Sequence, residues 1–334
     1  MFGCLPAPSS TLLRKVEKMT IAEFIRKKKV ILDVDTGIDD AIAIMLALAS
    51  PELEVLGITT VSGNIDLESA TINTLKVLKL IGREDIPVFR GAVKPLWRSI
   101  RYAKEVHGDC GLAGQLSDIK PGEAQSLSAG DFIKSQIELY PGEITLIMTG
   151  PETNLGVLLM QDRTLALKLK EIIVMGGVAN GRGNESPVAE FNIAIDPESA
   201  DLVFHSGAPL TMVGLDVTRK ALLRKSDIDA LTATDKVKDF IDLVTLEYRQ
   251  RFAVINGFEA CLMHDPLAVA VAVDPSLVKC VHRYVGIETE SRYCDGQTVC
   301  DFEGRWGKDP NAEVCVELDT ERFLELMTNR LNRY

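Results

Sequence analysis

From Val30 onward, short runs of β-branched and other apolar residues alternate with longer segments in which apolar positions recur every three or four residues. The first pattern is that of strands and the second that of helices; regular alternation of the two is the habit of β-α-β units building a parallel sheet. Strands are predicted at Val30–Val34, Leu53–Val61, Pro87–Arg90, Ile144–Met148, Ile172–Met175 and Leu210–Leu215. Several are apolar throughout rather than alternating, as expected of strands covered by helices on both faces. Helices are expected to begin near Asp39, Leu67, Ala129, Asn154, Pro197 and Ser226. Gly82, following Leu80 and Ile81, offers the left-handed residue that a helix C-cap favours. The fold class is therefore α/β, a single open domain with a mostly parallel, Rossmann-like sheet and helices on both faces.

Two stretches break the pattern. Lys94–Gln125 lacks periodicity and Ala179–Ala189 is rich in Gly and Asn. Long structureless loops in a compact domain usually serve a site or move. No internal repeat, low-complexity tract or linker divides the chain. The expected organisation is an N-terminal extension over residues 1–26, mixing Pro, Ser and Lys around an internal Met19, followed by one domain over 27–334.

Composition narrows the function. At 334 residues and 46% apolar content the chain can bury a large core, while a net charge of −11 with no clustered basic face argues against holding nucleic acid by its phosphates. A small neutral or weakly charged ligand fits better. Seven cysteines without a Cys-x-x-Cys pair signal neither a disulfide framework nor a thiolate zinc site. With no apolar stretch near the ~20 residues a spanning helix requires and no secretion signal, a cytoplasmic location is expected.

The strongest local feature is Asp33-Val34-Asp35-Thr36-Gly37-Ile38-Asp39-Asp40, which follows an apolar strand and precedes the nearly all-apolar Ala41–Ala49. Helix capping explains one aspartate there but not four. Carboxylates packed this closely at the end of a buried strand need a counter-charge, and a hard divalent cation with oxygen ligands supplies one. Asp33 alone fits a supporting hydrogen-bonding role. An EF-hand loop fails, lacking an acidic or amide residue at Gly37 and a Glu twelve positions from its start. An aspartate-nucleophile phosphatase also places Asp-x-Asp after its first strand, but its pattern wants Thr or Val where Gly37 stands and leaves Asp39 and Asp40 unexplained.

Other polar residues fall at the C-terminal ends of predicted strands, where open α/β sheets bind ligands. Asn64 follows the second strand, Thr149-Gly150 ends another, and Met175-Gly176-Gly177 the next. Each alone reads as a turn; their convergence on one sheet edge is the argument. Glu190-Phe191-Asn192 precedes a helix start near Asp196-Pro197, and His264-Asp265-Pro266 precedes the apolar Leu267–Val273. Asp265 can join a metal while His264 reaches toward ligand. His107, in the long loop, fits a loop hydrogen bond or a site contact, whereas His205 and His282 read as surface or helix-end residues. No cysteine has a neighbouring base, so a thiol nucleophile has no support.

These elements, in this order, resemble the inosine-uridine nucleoside hydrolases over nearly the whole chain from about Val30. The aspartate run through Ala41 resembles that family's N-terminal signature, and Gly63-Asn64, Thr149-Gly150, Met175-Gly176-Gly177, Glu190-Phe191-Asn192 and His264-Asp265-Pro266 recur as its later motifs. The resemblance implies hydrolysis of the N-glycosidic bond of ribonucleosides, in nucleoside salvage. It implies one Ca²⁺ held by Asp35, Asp40, Asp265 and the main-chain carbonyl of Thr149, with Asp35 also the general base toward the attacking water. It implies that Asp39, Asn64 and Asn192 read the 2′ and 3′ hydroxyls, that Met175, Asn184 and Glu190 line the sugar, and that His264 assists the departing base. His107 joins the substrate-binding candidates. Val178–Asn184 differs in length from the family pattern, which bears on Asn184. The helical region Leu243–Ala260, with Tyr248, Arg249 and Phe258, is where family members differ toward the base. A homodimer or homotetramer is implied as well. The competing readings are the phosphatase, which predicts magnesium dependence and phosphate-ester turnover, and a calcium-dependent nucleoside-binding protein without turnover.

The chemistry accounts for these residue types. Breaking an N-glycosidic bond builds positive charge on the sugar and negative charge on the base. Carboxylates near the sugar favour that cation, a carboxylate base activates water, and an imidazole with an ordinary pKa near ~6.5 can supply a proton to the leaving group. A site that hydrogen-bonds the 2′ hydroxyl rejects deoxynucleosides.

Overall fold

The computed structural model describes residues 27–334; the N-terminal extension expected over 1–26 lies outside the described residues. Among the described residues eleven strands are present: β1 Lys28–Val34, β2 Leu53–Thr60, β3 Val88–Arg90, β4 Ile144–Met148, β5 Glu171–Met175, β6 Leu210–Val213, β7 Leu222–Arg224, β8 Ala260–Leu262, β9 Val278–Ile287, β10 Thr298–Asp301 and β11 Ala312–Leu318. Nine of them form one sheet in the order β10-β9-β11-β6-β5-β4-β1-β2-β3, and β7 and β8 pair separately. Every pairing from β3 across to β11 is parallel; β9 and β10 add on antiparallel at one edge. The sheet is thus mostly parallel with helices, as the alternating pattern requires.

The strand order explains where a site forms. The chain runs outward from β1 through β2 to β3, then returns to the other side of β1 and runs outward again from β4 through β5 to β6. The crossovers leave β1 and β4 in opposite directions, which opens a crevice beyond their C-terminal ends, the switch point at which such sheets bind ligands. The Asp33–Asp40 run emerges from β1 and Thr149 from β4, so the two strongest polar features flank that crevice.

Two helices open on the same edge. Ile38–Ala49 is buried on all sides except at Leu48, and it packs against His264–Val273, buried from Asp265 to Ala272. A helix apolar all round is a core helix, so the polar residues tolerated at its start must be matched by the site. Asp39 and Asp40 lie in the first turn of one and Asp265 in the first turn of the other, where unpaired N–H groups favour negative charge.

The expected element starts agree with the structure to within two residues, and Gly82 takes the left-handed φ of +67° just past the helix Leu67–Leu80. Three expectations are corrected. The strand predicted to Leu215 stops at Val213, because Gly214 starts a helical turn over Leu215–Thr218. The helix near Ser226 is only Lys225–Asp229; the long one is Asp235–Asn256. The helical region expected over Leu243–Ala260 ends early because Gly257, at φ +80°, terminates it, and Ala260 belongs to β8. The C-terminal strands β9 to β11 and the helix Thr320–Leu331 had no counterpart in the sequence pattern.

Candidate active site

β1 delivers its acidic residues into the interior. Asp33 Oδ1 accepts from Thr59 Oγ1 and, at 2.7 Å, from Asn154 Nδ2, and burial raises its pKa to about 6. It braces β1 against β2 and the helix Thr153–Gln161, the supporting role read from the sequence. The Asp35 carboxylate accepts from the backbone N–H of Asn64 at 2.6 Å and from Asn64 Nδ2 at 3.1 Å. Two glycines make room for it. A Cβ on Gly63 would lie 2.1 Å from Asp35 Oδ2, and one on Gly150 would lie 3.0 Å from Asp35 Cγ. Asp40 accepts from Gly37 N at 2.8 Å, Thr149 Oγ1 at 2.9 Å and Asn64 Nδ2 at 3.3 Å. Asn64 therefore ties Asp35 to Asp40.

Asp39, Asp40 and Asp265 each place one carboxylate oxygen within 4.8 Å of the others, all three residues being buried. Asp35 stands beside this trio, close enough that Asp40 and Asp39 act on it. Burial raises the pKa of Asp35 well above the ordinary carboxylate range, and repulsion from Asp40 and Asp39 adds to it. Asp265 is raised by burial and then by Asp39, Asp40 and Asp35; Asp40 is raised by burial; Asp39 reaches about 7 through burial and Asp40. No Lys or Arg forms an ion pair with any of the four among the described residues. Four buried acids without a protein cation, presenting hard oxygen donors, fit a divalent metal of the calcium or magnesium kind.

In front of the acids lies a cavity of about 320 Å³, at the small end of the range for small-molecule sites, ~300–1,000 Å³. Asp39, Asp265, Asn64 and Thr149 line its floor, and Met175, Asn184, Glu190 and Asn192 a wall. Asn192 Nδ2 donates to the carbonyls of Thr149 at 2.8 Å and Met175 at 2.9 Å, which joins the ends of β4 and β5. Glu190 accepts from the N–H groups of Gly177 at 3.0 Å, Asn192 at 3.0 Å and Ile193 at 3.2 Å; burial nevertheless carries its pKa to about 7. Asn184 sits at the exposed rim, its Oδ1 accepting from Phe191 N at 2.9 Å.

Both candidate histidines line the cavity. His107 Nδ1 accepts from Ile38 N at 3.0 Å, so the loop hydrogen bond and the site contact occur together. His264 Nδ1 lies 2.8 Å from Thr218 Oγ1. Burial lowers His107 to about 3, with His264 contributing, and lowers His264 to about 4, with the Arg219 cation contributing. The direction is below the ordinary histidine value expected from the sequence, so this environment favours the neutral imidazole. His205 and His282 lie elsewhere on the surface, paired with Asp201 and Glu313.

Of the residues expected to face a base, Tyr248 lines the cavity. Arg249 does not: it is fully buried between Asp242 and Glu259. Phe258 packs edge-on to Phe252 and is not part of the lining. The sequence reading missed Thr218, Arg219 and Glu185, and it named Phe191 only within its motif, without a role. Thr218-Arg219 follow β6 and were within reach of the rule that placed Asn64 and Thr149. Glu185 is drawn to the cavity by an ion pair with Arg101 at 2.8 Å, a contact between two loops that no local pattern announces.

An open α/β sheet with an acid-floored cavity at its switch point forms a small-molecule site whose acids could hold a metal ion. Residues 30–325 match the family Inosine-uridine preferring nucleoside hydrolase, and the chain belongs to that family; it is an N-glycosyl bond hydrolase. It is 42% identical over 310 residues to the pyrimidine-specific ribonucleoside hydrolase RihA of Citrobacter koseri, covering 91% of this chain and 98% of that protein. Among solved structures it resembles a plant nucleoside hydrolase at TM-score 0.88 and 35% identity, covering 92% of this chain and 100% of that one. A purine-preferring ribonucleoside hydrolase from Gardnerella vaginalis matches at TM-score 0.84 and 34% identity, covering 92% and 98% respectively. No described helix is long and apolar enough to cross a membrane.

Proposed function

We propose that the protein hydrolyses ribonucleosides, pyrimidine ribonucleosides foremost, to ribose and free base in a calcium-dependent reaction serving nucleoside salvage in the cytoplasm as a homodimer or homotetramer. The observation that carries the site assignment is the set of four buried aspartates, without a counter-cation among the described residues, beneath a cavity of nucleoside size. Asp35, Asp40, Asp265 and the Thr149 carbonyl would hold the ion, and Asp39 lies within the same oxygen cluster. When bound, the ion supplies a Lewis acid that lowers the pKa of water and orients the ribose diol. Preference for pyrimidines follows the 42% identity to the pyrimidine-specific enzyme; the purine-preferring relative makes inosine the comparison substrate.

The chain's own residues divide the remaining work. Asp35, held by two hydrogen bonds from Asn64, is the general base and takes the proton of the attacking water at a carboxylate oxygen. Asp39, Asn64 and Asn192 read the 2′ and 3′ hydroxyls. Asn184 and Glu190 meet the 5′ end, and Met175 packs against the sugar face. As the glycosidic bond lengthens, the surrounding carboxylates stabilise positive charge on the ribose. His264 donates a hydrogen bond to the base as it gains electrons, and His107 lines the same cavity. Measuring kcat/KM for ribose release from uridine, cytidine, inosine, adenosine and guanosine tests the proposal. Uridine and cytidine should lead by at least about tenfold. Inosine in the lead would overturn the base preference, and phosphate-ester turnover without ribose release would overturn the reaction class.

A further inference from the structure

Thr218 is fully buried and absent from the cavity lining, yet its hydroxyl lies 2.8 Å from Nδ1 of a residue that is in it, His264. Its backbone is fixed on both sides: the Thr218 N–H donates to Gly214 O and the Thr218 carbonyl accepts from Ala221 N, each at 3.1 Å. We infer that Thr218 is a positioning residue that fixes the His264 ring and donates its hydroxyl proton to Nδ1, leaving Nε2–H to face the departing base. This rests on the proposed hydrolysis reaction. A neutral imidazole carries one N–H, and the other nitrogen accepts. The hydroxyl of Thr218 has His264 as its single hydrogen-bond partner among the described residues, so its proton has no other protein acceptor. Holding Nδ1 this way turns the opposite edge of the ring toward the cavity and selects the tautomer that can donate there.

The test compares Thr218→Val, which keeps the shape and removes the hydroxyl, with Thr218→Ser, which keeps the hydroxyl. For uridine, a poor leaving group, Thr218→Val should lower kcat roughly tenfold, the loss of about one hydrogen bond. For an aryl riboside with an activated leaving group its rate should stay within twofold of wild type, and Thr218→Ser should restore uridine turnover. Equal losses on both substrates, or no loss on uridine, would overturn the role. Nitrogen-15 NMR of His264 reads the tautomer without turnover: protonated Nε2 in the wild type supports the inference, and protonated Nδ1 overturns it. Absence of ribose release by wild-type enzyme would overturn the reaction class instead, while the NMR result would still decide the tautomer.

A separate feature lies toward the antiparallel end of the sheet. Cys280 on β9 and Cys315 on β11 are direct antiparallel partners, their Sγ atoms 3.4 Å apart. Cys315 is buried and Cys280 half-buried. The geometry points to an oxidative modification site in which a hydroperoxide closes these two thiols into a disulfide stapling β9 to β11. Their shared hydrogen bond holds the Cys280 thiol below its ordinary pKa and Cys315 above it, so Cys280 is the reactive partner. The Cys280 thiolate attacks the peroxide oxygen; the O–O bond breaks, and the released oxygen leaves as water, or as alcohol from an alkyl peroxide. The sulfenic acid formed is attacked by Cys315, a second water departs, and two thiols are oxidised as one peroxide is reduced.

The full-length protein treated with stoichiometric hydrogen peroxide should lose 2 Da, reversibly with dithiothreitol. Peptide mapping should join Cys280 to Cys315, and Tm should rise by roughly 3–10 °C. Cys280→Ser should abolish all three changes. A persistent Cys280 sulfenic acid trapped by dimedone, a disulfide between other cysteines, or no mass change would overturn the proposal.

Discussion

Replacing Gly63 with alanine adds one methyl group at the point where the structure can least accept it. The new Cβ would stand 2.1 Å from Asp35 Oδ2 and 2.6 Å from Pro151 Cδ, where real Cβ contacts essentially never fall below 3.0 Å. Neither neighbour can retreat cheaply: the carboxylate is held by Asn64 at 2.6 and 3.1 Å, and the proline ring is rigid. Gly63 is not among the residues with positive φ, so the effect is one of space alone. The carboxylate must move by about 0.9 Å, and a misplacement near 1 Å in a reacting group lowers rates by roughly 10²-fold. Overpacking of this kind also destabilises by about 1–3 kcal/mol. Gly63→Ala should therefore reduce kcat/KM for ribose release about 100-fold and lower Tm by several degrees while circular dichroism stays native. Gly122→Ala, whose Cβ would meet only Leu75 Cδ2 at 3.8 Å, is the neutral control. A folded Gly63→Ala enzyme with kcat/KM within twofold of wild type would refute the placement of Asp35 as the base.

Asp35→Asn should lower kcat by roughly 10²–10⁴-fold while KM changes only a few-fold, as for loss of a general base; steady-state kinetics on uridine check it, and a matching rise in KM would point to a binding role. A site that pairs the 2′ hydroxyl should discriminate against 2′-deoxyuridine by up to ~10⁴ in kcat/KM, and comparable rates on both would remove Asp39, Asn64 and Asn192 from the sugar-reading role. Glu152 is fully buried, neither carboxylate oxygen has a side-chain or main-chain partner from another residue among the described residues, and burial raises its pKa well above the ordinary value. A folded-state pKa raised this way means that folding takes up a proton above the unfolded value, so the contribution to stability falls as pH rises. Glu152→Gln should therefore gain on wild type by up to about 1.4 kcal/mol per pH unit as the pH rises above the ordinary carboxylate range; denaturant unfolding at a series of pH values from about 5 upward measures it, and a pH-independent difference would contradict it.

The parallel core was legible because β1, β4 and β5 bury nearly every residue and therefore read as unbroken apolar runs. Their spatial order was not, since the reversal at β1 is set by crossover packing rather than by any residue. β9 escaped notice because most of its positions are only half-buried, one strand in from the sheet edge, where Lys279, His282 and Arg283 are tolerated. The acid cluster was legible because four carboxylates in eight residues have no cheap structural explanation. Its internal arrangement was less so: the tight oxygen trio draws on Asp39 as well as Asp40 and Asp265, a matter of side-chain direction at the start of a helix. Nor could spacing announce that burial would leave His264 neutral or that Thr218 would hold it.

The most direct test of the whole account is ribose release from uridine by chelator-treated enzyme before and after calcium is returned. Activity that falls at least 100-fold on chelation and returns with calcium, while Asp265→Ala stays inactive under both conditions, is the predicted result. Full ribose release in chelator would contradict the claim that the buried aspartates work by holding a cation.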